Sequence, residues 1–350
     1  MRAKLDFTAE YRNMELHNKI KGARMKNEFL IRMNVPEDCV MTSDMNGIYY
    51  RLFHEPVTGL QKNEIDSMQF HEPSEKTIVY HEHTWGTETF FVSRGRFFCY
   101  CMGRGFIMGP GDVFHVQPWM GHSFTPIEPE SALNIMFMGI DQRRSITDVR
   151  FRLAEKFPGV FEAPAFNAEF GRLHGSTRRR TVPTTGENAP GLVTQLRPSG
   201  MGIREYEFDG VRMQLKVAKY ETEGVKEIWE LFMKPGFYCE WNDFLFEYRV
   251  FYVTQGRLRC FVKTAVDEKL EFFAEKDSII FVPPYNPFGF EVVEEARVYD
   301  MDCPARLQDL CEEIYEFQTA NPDKVNDKAS IIAMFKEYGM NCTDVGNRRR

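Results

Sequence analysis

The sequence lacks an apolar run approaching the roughly 20 residues of a helical membrane span, which excludes a transmembrane helix. Its first residues, MRAKLDFTAEYRNMELHNKIKG, show neither an apolar stretch nor a small-residue cleavage site, so a cytoplasmic protein without a secretory signal is expected. A basic surplus is also missing. Lys and Arg number 44 against 51 Asp and Glu, a net charge of −7, which disfavours nucleic acid as a partner. The eight cysteines (39, 99, 101, 239, 260, 303, 311, 342) contain no CxxC pair, so neither a zinc knuckle nor a disulfide framework is indicated. Cys99 and Cys101 share one face of a strand and cannot bridge, and reduced thiols are the expectation. Histidine is scarce, at eight in 350 residues, and its placement is therefore informative.

Apolar and aromatic residues are plentiful. A hydrophobic share of 43% with 31 Phe is enough for a full core, and the length suits about two domains at ~150 residues each. Residues 10–34 carry Met14, Leu16, Ile20, Met25, Phe29 and Leu30 at near-helical spacing, which predicts a helical arm within 1–45. From 46 to 140 the texture changes to short runs such as IYYRLF, TIVYHEH, ETFFVS, RFFCYCM and DVFHVQ. These are strand-length segments broken by Gly and Pro, and they favour an all-β sandwich or barrel. A connector follows over 141–202, partly helical at first, then Gly-, Pro- and Ser-rich from 174, where Arg178, Arg179 and Arg180 read as a solvated linker. A second strand-rich block spans 203–303, and two helices are expected over 304–350. Two β blocks of similar size suggest an internal duplication. The GRGFIMGPG segment opens no helix and reads as a turn rather than a dinucleotide loop.

Four of the histidines fall between 81 and 122. On a strand His81 and His83 project from one face, and Glu88 returns past a Thr-Trp-Gly bend. His122 ends a later segment that begins at Gly111. Three imidazoles and one carboxylate suit one divalent transition metal (Mn, Fe, Co, Ni or Zn) and leave open positions for a chelating substrate. Without a metal, such a cluster inside an apolar barrel would be poorly satisfied. Trp85, Phe90, Trp119, Phe124 and His115 surround these residues and are the expected lining of a small-molecule pocket, with His115 more a core or supporting histidine than a fifth ligand.

These residues resemble the cupin superfamily. Its first motif is matched by His81, His83, Glu88 and Gly95, and its second by Pro110, Gly111, Asp112 and His122. The sequence departs from the pattern at Glu75, Gln117, Trp119 and Pro126, none of which would hold a metal. The second block is similar to a cupin barrel that has lost its metal set: anchored on Gly256, Arg249 takes the place of Glu88, Asn242 that of His81 and Phe244 that of His83, while Pro287 and Phe288 stand where a His is expected. The resemblance implies a mainly β bicupin of two double-stranded β-helix (jelly-roll) barrels with terminal helices, and a metal held by His81, His83, Glu88 and His122. It allows hydrolases, lyases, isomerases, dioxygenases and non-catalytic binding proteins alike.

The aromatic inventory tilts the expected substrate toward a cyclic or phenolic oxygenated compound. Thiols and thioethers at Cys99, Cys101, Met102 and Met108 tilt the chemistry toward redox-neutral hydrolytic ring opening, isomerisation or lysis, with Glu88 as a possible base. The alternatives are an Fe(II)-dependent ring-cleaving dioxygenase on the same ligands and a ligand-binding cupin without turnover. A homodimer is expected from exposed sheet edges and the arm.

Overall fold

The computed structural model describes residues 30–39, 41–44, 48–57, 61–73, 78–83, 87–139, 146–173, 176–178, 196–263 and 269–348. The chain is mainly β and divides into two compact units. One comprises 34–203 with 216–226, the other 1–33, 204–215 and 227–350.

In the first unit, two antiparallel sheets form a jelly-roll sandwich. The five-stranded sheet runs in the order Ser176–Arg178, Ile78–His83, His122–Pro126, Phe97–Cys101, Arg104–Met108. The seven-stranded sheet runs Leu196–Arg197, Val113–Val116, Glu88–Arg94, Ser131–Gly139, Gln61–Phe70, Ile48–Val57, Met41–Asp44. Period-two alternation sends one parity of each strand inward. Phe90, Val92, Phe114, Val116, Leu133 and Ile135 from one sheet meet Phe97, Cys99, Cys101, Met108 and Phe124 from the other in a single buried core. Helices Ile146–Lys156 and Pro164–Leu173 follow, in the part of the connector expected to be helical.

The second unit is built on a ten-stranded antiparallel sheet and two helices, Leu307–Ala320 and Lys328–Glu337; the last of the ten strands, Met340–Asn347, pairs with Phe237–Phe244. This last strand was not expected from the sequence.

Equivalent positions in the two units show the duplication directly. Glu88 pairs across its ladder with Val116, and Arg249 with Val282. Seven residues after each stands a glycine with left-handed φ, Gly95 at 67° and Gly256 at 77°. Four residues after each, a carbonyl accepts the same turn bond: Gly111 N–H donates to Val92 O at 3.0 Å and Asp277 N–H to Val253 O at 2.8 Å.

Three expectations change. Leu30–Met33 is a strand paired with Ser278–Val282, not the end of a helix, because its apolar residues find a sheet edge to join; residues 10–29 of the expected arm lie outside the described residues. Ser176–Arg178, at the start of the expected linker, is a strand that pairs with Ile78–His83, while 179–195 lie outside the described residues. Arg104–Met108 is also a strand, hairpinned to Phe97–Cys101, so only the ends of the GRGFIMGPG segment are turn.

Candidate metal centre

Each of the four predicted ligands comes from a strand whose parity aims it into the first sandwich. His81 and His83 occupy alternate positions on Ile78–His83, and His122, the first residue of its strand, pairs directly with His81. Glu88 opens the strand across the core, two residues before the inward-facing Phe90. One ligand atom from each of His81, His83, Glu88 and His122 lies within 4.8 Å of all the others. The imidazole centroids are 4.4 Å apart for His81–His122, 4.9 Å for His81–His83 and 5.7 Å for His83–His122.

Hydrogen bonding sets the tautomer of His122. Its Nδ1 lies 2.8 Å from Met120 O, a carbonyl that can only accept, so Nδ1 carries a proton and Nε2 is the ring atom turned to the site. Nε2 faces Glu88 Oε2 at 3.1 Å, and His83 Nε2 approaches the same oxygen at 3.0 Å. Acceptors converging on one buried carboxylate require a cation, either protons or a metal. The titration pattern agrees. Burial alone would raise Glu88, yet His83 and His122 hold it well below the usual carboxylate range. Burial alone would lower His83, yet the Glu88 carboxylate overrides it and its pKa is raised. The residues present therefore fit a divalent ion, with His122 Nε2 oriented for ligation by the Met120 carbonyl behind it.

The inner wall is aromatic. Phe90 is buried with its ring 5.6 Å from that of His122, and Phe124 lies 4.4 Å from Phe90. Cys101 is the cross-strand partner of His122 and Cys99 that of Phe124, so both thiols face inward, and burial raises Cys101 to about 12. Trp119 stands on the outer side, 61% exposed, with its N–H donated to His83 O at 2.7 Å. Trp85 lies outside the described residues.

His115 does not belong to the pocket. It pairs in register with Thr89 while Glu88 pairs with Val116, which puts His115 on the opposite face of the sheet from Glu88 and Phe90. There its Nδ1 lies 2.9 Å from Thr89 Oγ1, and burial, with Lys226 and Arg197 nearby, lowers its pKa to about 3, so the ring is neutral. Parity relative to Glu88 is the signal that would have excluded it. Two contributors were not legible. The Met120 carbonyl acts through the main chain, and the ring of Tyr80 packs so closely on Gly121 that a Cβ there would come within 2.5 Å of its hydroxyl. Glycine just before His122 is what admits that ring.

Residues 68–138, about a fifth of the chain, match the family model described as a cupin domain. No curated protein matches the sequence. Among solved structures, oxalate decarboxylase from Bacillus subtilis superposes with a TM-score of 0.50 at 14% identity, covering 87% of this chain and 83% of that one. Procruciferin, an 11S globulin from Brassica napus, superposes with a TM-score of 0.50 at 10% identity, covering 80% of this chain and 85% of that one. At these identities the likeness is one of fold.

Proposed function

We propose that the chain is a divalent-metal-dependent enzyme of the cupin superfamily with a single working site, in the first of its two barrels. An oxalate decarboxylase and an 11S globulin share the fold, so the fold does not choose the activity and the donor set has to. The observation that carries the reading is the convergence of two imidazole Nε2 atoms on one buried Glu88 oxygen, with His81 completing the set.

The substrate is a small cyclic or phenolic oxygenated compound and the reaction is redox-neutral: hydrolytic opening of a cyclic diketone, or isomerisation or lysis. Phe90 and Phe124 support a planar substrate by giving the inner wall flat apolar faces. Cys99, Cys101 and Met108 in the same interior favour chemistry that spares thiols and thioethers. His81, His83, Glu88 and His122 would hold the ion, which when bound supplies a Lewis acid for chelated oxygens and an acidified water. Met120 O fixes the ring of His122, and the packed aromatic wall keeps bulk water from the inner side. Glu88 Oε2, shared between two imidazoles, is the oxygen placed to take a proton during turnover.

The test is elemental analysis of wild type and His83→Ala, both purified without added metal. About one transition-metal ion per chain, lost in the variant, is the expected result. No retained ion after incubation with Mn(II), Fe(II), Co(II), Ni(II) or Zn(II) overturns the reading. Iron together with strict oxygen dependence of turnover would replace it with a dioxygenase. A Glu88→Gln variant with full metal content and full activity would remove Glu88 both as a ligand and as the proton acceptor, leaving the three histidines to hold the ion.

A further inference from the structure

The strand Ser176–Arg178, in a stretch whose sequence reads as linker, forms the edge of the five-stranded sheet beside the strand that carries His81 and His83. Ser176 pairs with His83, Thr177 with Glu82 and Arg178 with His81. On its other side His81 pairs with His122. Arg178, His81 and His122 therefore form one cross-strand row, with neighbouring strands about 4.8 Å apart. Directly opposed residues of antiparallel strands share a face. Arg178 and Ser176 are thus placed on the face that carries His81 and His83, and Thr177 on the other face with Glu82.

An arginine at a sheet edge can serve only to discourage pairing with another chain. Two features of this face point to a further role. The first is its chemistry. Elsewhere on the same sheet the inward residues are Cys99, Cys101 and Phe124, all in the apolar core. Glu88 Oε2, the acidic oxygen of the cluster, is already approached by His83 Nε2 at 3.0 Å and His122 Nε2 at 3.1 Å. The second is where the cluster opens. The side chain of His122 is 0% exposed and that of Glu88 9%, whereas that of His83 is 18% exposed and His81 is half-buried. The floor is closed at His122, and access lies along the strand that Ser176–Arg178 flanks. A molecule reaching the four convergent residues from that side passes Arg178. Arginine at such a rim is suited to a carboxylate, because its planar fork matches both oxygens at once.

We propose that Arg178 determines specificity by recognising a carboxylate borne by the ring compound whose oxygens reach His81, His83, Glu88 and His122, so that the substrate class is a ring carboxylic acid. This rests on the reading that the site chelates a ring compound.

The experiment uses the metal-loaded full chain and two chelating probes that differ in one charge, 3,4-dihydroxybenzoate and its uncharged methyl ester, with affinities measured by calorimetry. Wild type should bind the acid more tightly than the ester. Arg178→Gln is expected to weaken the acid about tenfold to a hundredfold, the loss of a charge-assisted hydrogen-bonded pair, while the ester changes less than about twofold. Metal content should stay at the wild-type level, and Arg178→Lys should recover part of the affinity for the acid. Arg179→Gln, the same change of charge one residue along the chain, should alter neither probe by more than about twofold. Equal weakening of both probes, or loss of metal, in Arg178→Gln would show that Arg178 only supports the sheet edge and would overturn the proposal. Unchanged affinity for the acid, or equal weakening of the acid by Arg179→Gln, would overturn it too. If wild type binds the ester but does not prefer the acid, this proposal fails alone; if it binds neither, the ring-substrate reading fails first and takes this one with it.

Discussion

Where the first barrel has Glu88 among three imidazoles, the second has Arg249 among rings. The guanidinium carbon of Arg249 lies 5.2 Å from the ring centroids of Trp241 and Phe244 and 5.1 Å from that of Phe251. Its Nε donates to Asp300 Oδ1 at 3.2 Å and its Nη2 to Asp300 Oδ2. Position by position, His81 gives way to Trp241, His83 to Phe244, Glu88 to Arg249 and His122 to Phe288: Trp241 pairs with Phe288 as His81 pairs with His122. The difference is one of where the positive charge comes from. The first barrel converges lone pairs on a point and needs a cation from solution. The second carries its cation covalently, shows no comparable cluster of metal-binding side chains among the described residues, and fills the space with aromatic carbon.

Removing that covalent cation should give the largest stability effect. Glu247, Asp300 and Asp302 are all buried around Arg249. Arg249→Leu leaves them without their counter-charge, and a loss of about 3–5 kcal/mol is expected in the urea unfolding of the second unit. Glu88→Gln in the metal-free protein keeps a polar group of the same shape and should cost only about 1 kcal/mol, while abolishing tight metal binding. Arg249→Leu combined with Asp300→Leu should recover part of the loss, since an apolar pair can replace a buried ion pair. A single-variant loss below about 1 kcal/mol would mean that Arg249 is dispensable and the comparison is wrong.

A smaller effect separates the barrels by pH. Burial raises the carboxyl groups of Glu227, Glu247 and Asp300, and raises Asp302 to about 6. The native state then holds protons that the unfolded chain releases above its ordinary carboxylate value, about 4. This contribution to stability is complete below that value and declines as pH rises through 6 and beyond. Glu88 has the opposite sign: with its native pKa lowered, its contribution is present above the unfolded value and lost as pH falls through the native one. Melting of the metal-free protein between pH 4 and 7 should therefore show a falling contribution from the second unit, of at most about 1.4 kcal/mol per pH unit per group. Glu247→Gln should flatten it, because neither Glu247 oxygen accepts a hydrogen bond that the amide would lose. Identical slopes in wild type and Glu247→Gln would remove Glu247 from the cluster.

The ligand set was legible because metal chemistry restricts both residue type and spacing, and strand parity does the rest for His81, His83 and Glu88. Legibility failed where register decides. Anchoring on Gly256 puts Asn242 opposite His81, but the pairing of Phe237–Phe244 slips between Trp241 and Phe244, so Asn242 is exposed and Trp241 turns inward. His115 failed for the same reason: proximity in sequence to Phe114 and Val116 says nothing of the face until the strand is paired. Leu30–Met33 was misread because four apolar-spaced residues serve a helix or a sheet edge equally well, and only the presence of an edge decides. The roles of Met120 O and of the carbonyl of His83 have no side-chain signal at all.

The smallest predicted effect tests whether the two barrels share a backbone constraint or only a shape. Gly95 and Gly256 both sit at left-handed φ, and both lack room for a Cβ, but the obstacles differ. At Gly256 a Cβ would lie 2.0 Å from the Glu295 carbonyl oxygen and 2.7 Å from the Ala296 Cα, main-chain atoms that no substitution removes. At Gly95 the nearest atoms are Ser131 Oγ at 2.1 Å and Ser131 Cβ at 2.8 Å, followed by its Cα at 2.9 Å. Removing the Ser131 side chain should therefore relieve Gly95→Ala, although Ser131→Gly also gives up the hydrogen bond from Oγ to Glu128 O at 2.8 Å. A double-mutant cycle of Gly95→Ala with Ser131→Gly should show a favourable coupling of about 1 kcal/mol. A coupling near zero would assign the cost to φ and to the Ser131 Cα, which the substitution leaves in place, and both glycines would then be constrained by the main chain.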